Sequence, residues 1–118
     1  MTDHGHFHWN ELTTRNVAKA KEFYGKTLDW TFEDMAMPDG TYTLCKSGDA
    51  MVGGMFEMQG PQFDGMPEQW FACIAVDDVD ARLAKLTAEG GAIHRPPFEV
   101  PGVGRIAIVG DPNGATSG

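Results

Sequence analysis

The 118-residue chain is 42% hydrophobic and 22% charged, which fits one globular domain with a buried core and excludes a disordered or low-complexity chain. Nine Lys and Arg residues against 17 Asp and Glu residues give a net charge of -8, which argues against nucleic acid and membrane surfaces as partners. The sequence has no apolar run of membrane-spanning length and no signal-peptide pattern, so we expect a cytoplasmic protein. Its two cysteines form no CxxC pair, which indicates reduced thiols rather than a disulfide framework or a zinc knuckle.

The first half of the chain predicts a strand, a helix and three further strands. Residues 6–14 have the composition of a strand, and Asn16 is placed to cap a helix whose apolar residues gather on one face. Strands are then predicted at 30–36, 41–46 and 51–58, because turn sequences rich in Gly, Asp and Pro or Ser separate them.

The second half begins the same pattern again. Residues 59–68 contain Gly and Pro without a helical or strand period, so they are predicted to be a linker. A strand follows at 70–76, and Asp78 caps a helix that a Gly pair ends as a left-handed C-cap would. Strands are predicted at 91–100, with an edge position or a bulge at its Pro pair, and at 104–109, before a tight turn and a short tail.

The two halves match at a constant offset. Trp9 lies 62 residues before Phe71, and Asn16 lies 62 residues before Asp78. Two strand-plus-helix units in the same register indicate a duplicated module.

Short motifs in order cover nearly the whole chain: Trp9-Asn10-Glu11-Leu12, Ala20-Lys21-Glu22-Phe23-Tyr24, Leu28-Asp29-Trp30, Ile74-Ala75-Val76-Asp77-Asp78, Gly90-Gly91 and Asp111-Pro112-Asn113-Gly114. In these motifs the chain resembles the vicinal oxygen chelate superfamily, which includes glyoxalase I, bleomycin-resistance proteins, fosfomycin-resistance enzymes and extradiol dioxygenases. The resemblance implies an α+β fold, a single domain over 1–118 in which two βαβββ modules form a cup-shaped mixed sheet. The modules would span about 6–58 and 69–118, joined by the linker at 59–68.

The resemblance also implies where a metal would be held. In the metal-using members, four His, Gln or Glu ligands come from the first and last strands of the two modules. The corresponding positions here are Trp9, Phe71, Gly118 and the segment 52–55, which has no ionisable side chain. An indole, a phenyl ring and a hydrogen atom give a cation no lone pair, so we predict no metal site and no cofactor.

Seven residues are predicted to bind a ligand, because strand alternation directs them into the cup or places them beside it. They are Trp9, Glu11, Thr13, Met55, Trp70, Phe71 and Cys73. Aromatic walls suit a flat or apolar small molecule, and the alternative interpretation is that the rings fill the space themselves.

Glu11 is the candidate for catalysis. A carboxylate between aromatic rings would be partly desolvated, which suits a general base or the partner of a cationic ligand. The alternative is a carboxylate at the rim of the cup, bonded to Thr13 or water. Cys73 is interpreted as a small buried residue rather than a nucleophile. The alternating His4, His6 and His8 are interpreted as a solvated arm rather than a metal site.

Three functions are compatible with these residues. The preferred one is a metal-independent, bleomycin-resistance-like protein that binds a small aromatic or cationic molecule in an aromatic-lined cup. The second is a metal-dependent lyase or dioxygenase of the same superfamily, with a displaced metal site built from Glu11 and His residues. The third is an interaction domain with a filled cup. The open sheet edges favour a homodimer.

Overall fold

The computed structural model describes residues 4–37, 40–100 and 104–118. Its elements in chain order are β1 (Phe7–Thr14), α1 (Val17–Leu28), β2 (Thr31–Met37), β3 (Gly40–Ser47), β4 (Ala50–Glu57), a 3-10 helix (Pro61–Phe63), β5 (Gln69–Ile74), α2 (Val79–Ala88), β6 (Ala92–Val100), β7 (Gly104–Gly110) and β8 (Thr116–Ser117). Within those ranges, no helix combines the length and the apolar character that crossing a bilayer requires.

The chain divides into two compact units. The N-terminal unit is Trp9–Trp70, and the C-terminal unit combines the residues up to His8 with Phe71–Gly118. In the N-terminal unit four strands lie in the order β2-β3-β4-β1. The β2–β3 and β3–β4 pairs are antiparallel, whereas β4 and β1 run parallel with Glu11 opposite Gly54. Helix α1 connects β1 to the rest of this mixed sheet.

Helix α1 begins and ends where its sequence directs. The Asn16 side chain accepts a hydrogen bond from the Lys19 amide at 3.0 Å, which satisfies one of the free N–H groups of the first turn. The Val17 amide donates to the Glu57 carboxylate at 3.2 Å. The helix ends at Asp29, whose φ of 59° lies in the left-handed region.

The core of the N-terminal unit lies between α1 and the sheet, and we call it the helix-side cluster. It is built from buried side chains of the sheet and partly buried apolar side chains of α1 and the strand ends: Leu12, Cys45 and Met55, with Val17, Ala20, Tyr24, Trp30, Phe32, Val52 and Trp70 packed against them. Burying one such large side chain contributes about 1.5–3 kcal/mol, so this cluster stabilises the α1 face of the sheet.

The C-terminal unit repeats this plan. The Asp78 side chain caps α2 by accepting from the Ala81 amide at 3.1 Å, and Gly90, with a φ of 92°, ends the turn beyond the helix. Strands β6, β7 and β8 lie in that order, and the pairs are antiparallel. Gly118 then bonds β5 in parallel register, donating to the Ala72 carbonyl and accepting from the Ile74 amide, both at 2.9 Å.

The predicted duplication is confirmed, because each of the two units has the same order of strands and helix. The parallel pair of Glu11 with Gly54 has its counterpart in the C-terminal unit, where Gly118 bonds the two neighbours of Cys73. Cys73 lies 62 residues after Glu11, the offset that the sequence predicts. Both units are βαβββ-like, and the α+β class with mixed sheets is confirmed.

Element bounds differ from the predictions mainly at their ends. The 3-10 helix at Pro61–Phe63 lies in a segment predicted as a linker without structure. The tail predicted after the last turn contains the short strand β8. In β6 the register shifts between Ile93 and Arg95 and again between Arg95 and Phe98. The Pro pair lies in the second of these irregularities, which confirms the predicted bulge and follows from the missing proline N–H groups.

Candidate functional site

Three side chains of the N-terminal unit form a hydrogen-bonded chain on one face of its sheet. The Trp9 indole N–H donates to the Tyr42 hydroxyl at 3.0 Å. The Tyr42 hydroxyl in turn donates to Glu11 Oε1. Tyr42 and Glu11 are fully buried, whereas Trp9 is half-buried. The chain thus runs from a partly accessible ring to a carboxylate inside the protein.

Strand register explains how these residues meet. Glu11 on β1 lies opposite Gly54 on β4, and Gly54 lies opposite Leu44 on β3. Tyr42 precedes Leu44 by two residues and therefore points to the same face. Its phenol reaches Glu11 by crossing over Gly54, where an added Cβ atom would overlap with the Tyr42 hydroxyl. Gly54 is therefore required for the bond between Tyr42 and Glu11.

Glu11 is more deeply placed than a rim carboxylate would be. Its exposed fraction is 0%, and Tyr42 donates a hydrogen bond to it. Thr13 is buried on the same face and directs its hydroxyl to the Gln69 carbonyl at 3.5 Å. A buried carboxylate must be stabilised by hydrogen bonds or paired charge, so the Tyr42 phenol is an integral part of this position.

Met55 and Trp70 lie in the helix-side cluster. Met55 is opposite Leu12 in the parallel pair, on the other face from Glu11. Trp70 packs edge-on against Trp30 and donates its indole N–H to the Tyr24 hydroxyl at 2.9 Å. The structure therefore brings Trp9, Glu11 and Thr13 to one face and places Met55 and Trp70 on the other; a ligand-binding role for any of them stays a prediction.

Phe71 and Cys73 lie on β5 in the C-terminal unit, and both are buried. A Cβ atom at Gly118 would approach Cys73 Sγ to 2.5 Å and the Phe71 ring to 3.2 Å, so only glycine fits there without a shift. Arg95, for which no role is predicted from the sequence, lies on β6 opposite Ile108. It is 7% exposed, and its guanidinium stands 3.6 Å above the Phe98 ring centroid.

Cys45 is buried in the helix-side cluster and is a poor nucleophile. Burial, and to a smaller extent the negative charge of Glu11, raise the pKa of its thiol to about 12, against a smaller opposing effect of Lys21. The thiol is therefore protonated at neutral pH.

The N-terminal histidines are held by backbone pairing in the C-terminal unit. Gly5 donates to the Ala75 carbonyl at 2.7 Å, and Ala75 donates to the His6 carbonyl at 2.8 Å. His4 Nδ1 accepts from the Asp77 amide at 3.0 Å. His6 and His8 are exposed, as a solvated arm would be.

A separate pocket of about 190 Å³ lies in the N-terminal unit, between α1 and strands β2 and β3. Lys21 and Thr43 both bond the Asp34 carboxylate at 2.7 Å, and these bonds hold the pKa of Asp34 below its ordinary value, with the Lys21 bond the larger cause. Of the described residues that line this pocket, none belongs to the predicted ligand-binding set. Lys21 and Asp34 bond each other, which is the geometry of a structural ion pair.

The donor groups present do not fit a chelated divalent ion at the positions that the superfamily uses. The Trp9 nitrogen carries a hydrogen that it donates to Tyr42, and Phe71 and Gly118 provide no side-chain ligand atom. Within residues 4–37, 40–100 and 104–118, no three His, Cys, Asp or Glu side chains are grouped closely enough to hold a metal. Such an ion needs several oxygen or nitrogen ligands at once.

Tyr42 is the member of this hydrogen-bonded chain that is not predicted from the sequence. A tyrosine in a strand after a turn gives no sign of its partner, because the bond to Glu11 depends on the register of β3, β4 and β1. The Gly pair in β4 is the one signal that could have revealed it, because glycine inside a strand often marks a close approach by another group.

Residues 5–116 match the Glyoxalase/Bleomycin resistance protein/Dioxygenase superfamily. CFP32 of Mycobacterium tuberculosis, whose name refers to glyoxylase, is 42% identical over 108 residues, which are 91% of this chain and 40% of CFP32. The anthracycline biosynthesis protein DnrV of Streptomyces peucetius is 33% identical over 119 residues, covering 91% of this chain and 43% of DnrV. The chain thus spans less than half the length of these curated relatives.

Two solved structures share the fold at low sequence identity. Protein BH1468 of Bacillus halodurans superposes with a TM-score of 0.63 at 12% identity, over 96% of this chain and 91% of that one. An uncharacterized protein of Methanosarcina mazei gives a TM-score of 0.53 at 20% identity, over 95% and 89%. On the sequence match, the repeated βαβββ plan and these likenesses, the chain belongs to the Glyoxalase/Bleomycin resistance protein/Dioxygenase superfamily.

Proposed function

We propose that this superfamily member binds a small aromatic or cationic molecule without a metal, on the sheet face that carries Trp9. The observation that carries the proposal is the chain from the half-buried Trp9 indole through Tyr42 to the buried Glu11 carboxylate. An aromatic ring backed by a negative charge suits a flat molecule with a positive charge.

Two further facts support this class of ligand. The net charge of -8 attracts cations and repels anions over the whole surface. The relative DnrV is named as an anthracycline biosynthesis protein. A planar aromatic cation is therefore the first class of molecule to test.

The experiment is a tryptophan-fluorescence titration of the folded protein with a panel of planar aromatic cations and uncharged aromatics. We expect saturable quenching by members of the panel. In W9F the affinity falls about tenfold, because roughly 1.4 kcal/mol of ring contact is lost. W30F is the matched control, since Trp30 lies in the helix-side cluster, and it retains the affinity. A flat response to the whole panel would contradict the proposal.

A further inference from the structure

Two aromatic residues form a series of hydrogen bonds that ends at one buried carboxylate. Trp9 donates its only polar hydrogen to Tyr42 at 3.0 Å, and Tyr42 donates its only polar hydrogen to Glu11. Because Tyr42 and Glu11 are fully buried and Trp9 is half-buried, Trp9 is the member of the chain that solvent reaches. Its N–H is already used, so its ring is what it can offer to a ligand.

Hydrogen bonds in such a chain reinforce one another. A carboxylate that accepts from a phenol raises the electron density on the phenol oxygen, which then accepts more strongly from the indole N–H. The indole ring becomes more electron-rich in turn, and a cation is attracted to a ring face by that electron density. The low dielectric constant of the interior preserves this effect, because water cannot screen the groups between Trp9 and Glu11.

We propose that Tyr42 is a specificity-determining residue that couples the buried charge of Glu11 to the ring of Trp9, so that the site favours cations over neutral molecules of the same shape. The inference rests on the proposed function, since it concerns the same site. Tyr42 acts through Trp9 and is a positioning residue. Gly54 is needed for this coupling, because a side chain at that position would displace the Tyr42 phenol.

The chain contains a matched control for this coupling. Tyr24 accepts the indole N–H of Trp70 at 2.9 Å, which repeats the donor and acceptor of the Trp9–Tyr42 bond. Over the part of the chain that the structure describes, the Tyr24 hydroxyl bonds no carboxylate. Y24F therefore removes a tyrosine hydroxyl from a Trp–Tyr pair without touching Glu11.

The first test is spectroscopic and needs no ligand. In the ¹⁵N–¹H spectrum of the folded protein, three indole N–H signals are expected, one for each tryptophan. Y42F should shift the Trp9 signal and hasten its hydrogen exchange, whereas Y24F should do so for the Trp70 signal and leave the Trp9 signal in place. E11Q keeps an acceptor oxygen for Tyr42 but removes the charge, so it should shift the Trp9 signal while leaving that hydrogen protected.

The second test compares N-methylquinolinium with its neutral isostere, 1-methylnaphthalene. We expect the wild-type protein to bind the cation about fivefold more tightly, which corresponds to the energy of one partly desolvated cation–π contact. In Y42F and in E11Q the ratio of the two affinities should fall toward one, while the affinity for 1-methylnaphthalene changes little. Y24F should keep the wild-type ratio.

The outcomes separate this inference from the proposed function. Binding of both probes with an undiminished ratio in Y42F and E11Q overturns the coupling and leaves the proposed function standing. An unmoved Trp9 indole signal in Y42F also overturns the coupling. If neither probe nor any other member of the aromatic panel binds the folded wild-type protein, the proposed function fails and the inference fails with it.

Discussion

At the residue scale, the bond between Tyr42 and Glu11 depends on Gly54, which has no side chain to obstruct the phenol. An added methyl group would overlap with the Tyr42 hydroxyl, so we expect G54A to lower the free energy of unfolding by about 1–3 kcal/mol through overpacking. Gly25 in α1 is the matched control. An added Cβ there meets atoms no nearer than 3.6 Å, and alanine favours the helix, so G25A should raise stability by about 0.5–1 kcal/mol. Urea unfolding measures both, and equal effects would contradict the account of Gly54.

Cys45 tests the burial of the helix-side cluster. Because burial raises its thiol pKa to about 12, we expect no alkylation of Cys45 by iodoacetamide in the folded protein at about pH 8. Unfolding in urea should make it react at the rate of a free thiol. Peptide mapping by mass spectrometry distinguishes it from Cys73. Rapid labelling of Cys45 in the folded protein would contradict this expectation, because it would show that the reagent reaches the helix-side cluster.

At the element scale, the two helices depend on the same kind of cap. We expect N16A to lower the free energy of unfolding by about 0.5–2 kcal/mol, since it removes the acceptor for the Lys19 amide at the start of α1. D78A should have an effect of similar size through α2. K19A changes an exposed position of α1 and is the control that should leave stability nearly unchanged. Caps without effect would mean that packing alone defines these helix ends.

The start of α2 also introduces a pH dependence. Arg82 donates two hydrogen bonds to Asp77, at 2.9 and 3.0 Å, and thereby lowers the pKa of that carboxyl from 3.8 to about 2. The charged form is favoured by folding, so this contribution is present above about pH 4 and is lost as the pH falls toward 2. The urea midpoint should therefore fall less on acidification in D77N than in the wild-type protein. D49N, in an exposed turn, should behave as the wild type does.

At the scale of the whole molecule, local patterns predicted the fold well. The caps at Asn16 and Asp78 and the 62-residue repeat each depend on neighbouring residues or on simple alternation, so they can be predicted from the sequence alone. The predicted turn at 38–40 lies partly outside the described residues. The site was predicted less completely. Alternation put Trp9 and Glu11 on one face, but the Tyr42 phenol reaches them only through strand register and an absent side chain at Gly54. Contacts of that kind cannot be predicted until the pairing of β3, β4 and β1 is known.

The central claim, binding without a metal on the Trp9 face, is tested most directly by measuring the dissociation constant of N-methylquinolinium before and after exhaustive treatment with a chelator. We expect the same dissociation constant within about twofold, and no change when zinc, manganese, nickel or iron is returned, because Trp9, Phe71 and Gly118 give a cation no side-chain ligand atom. Binding that disappears with chelation, returns with one of these metals and is lost in E11Q would contradict the account, and would favour a metal-dependent enzyme with a displaced site.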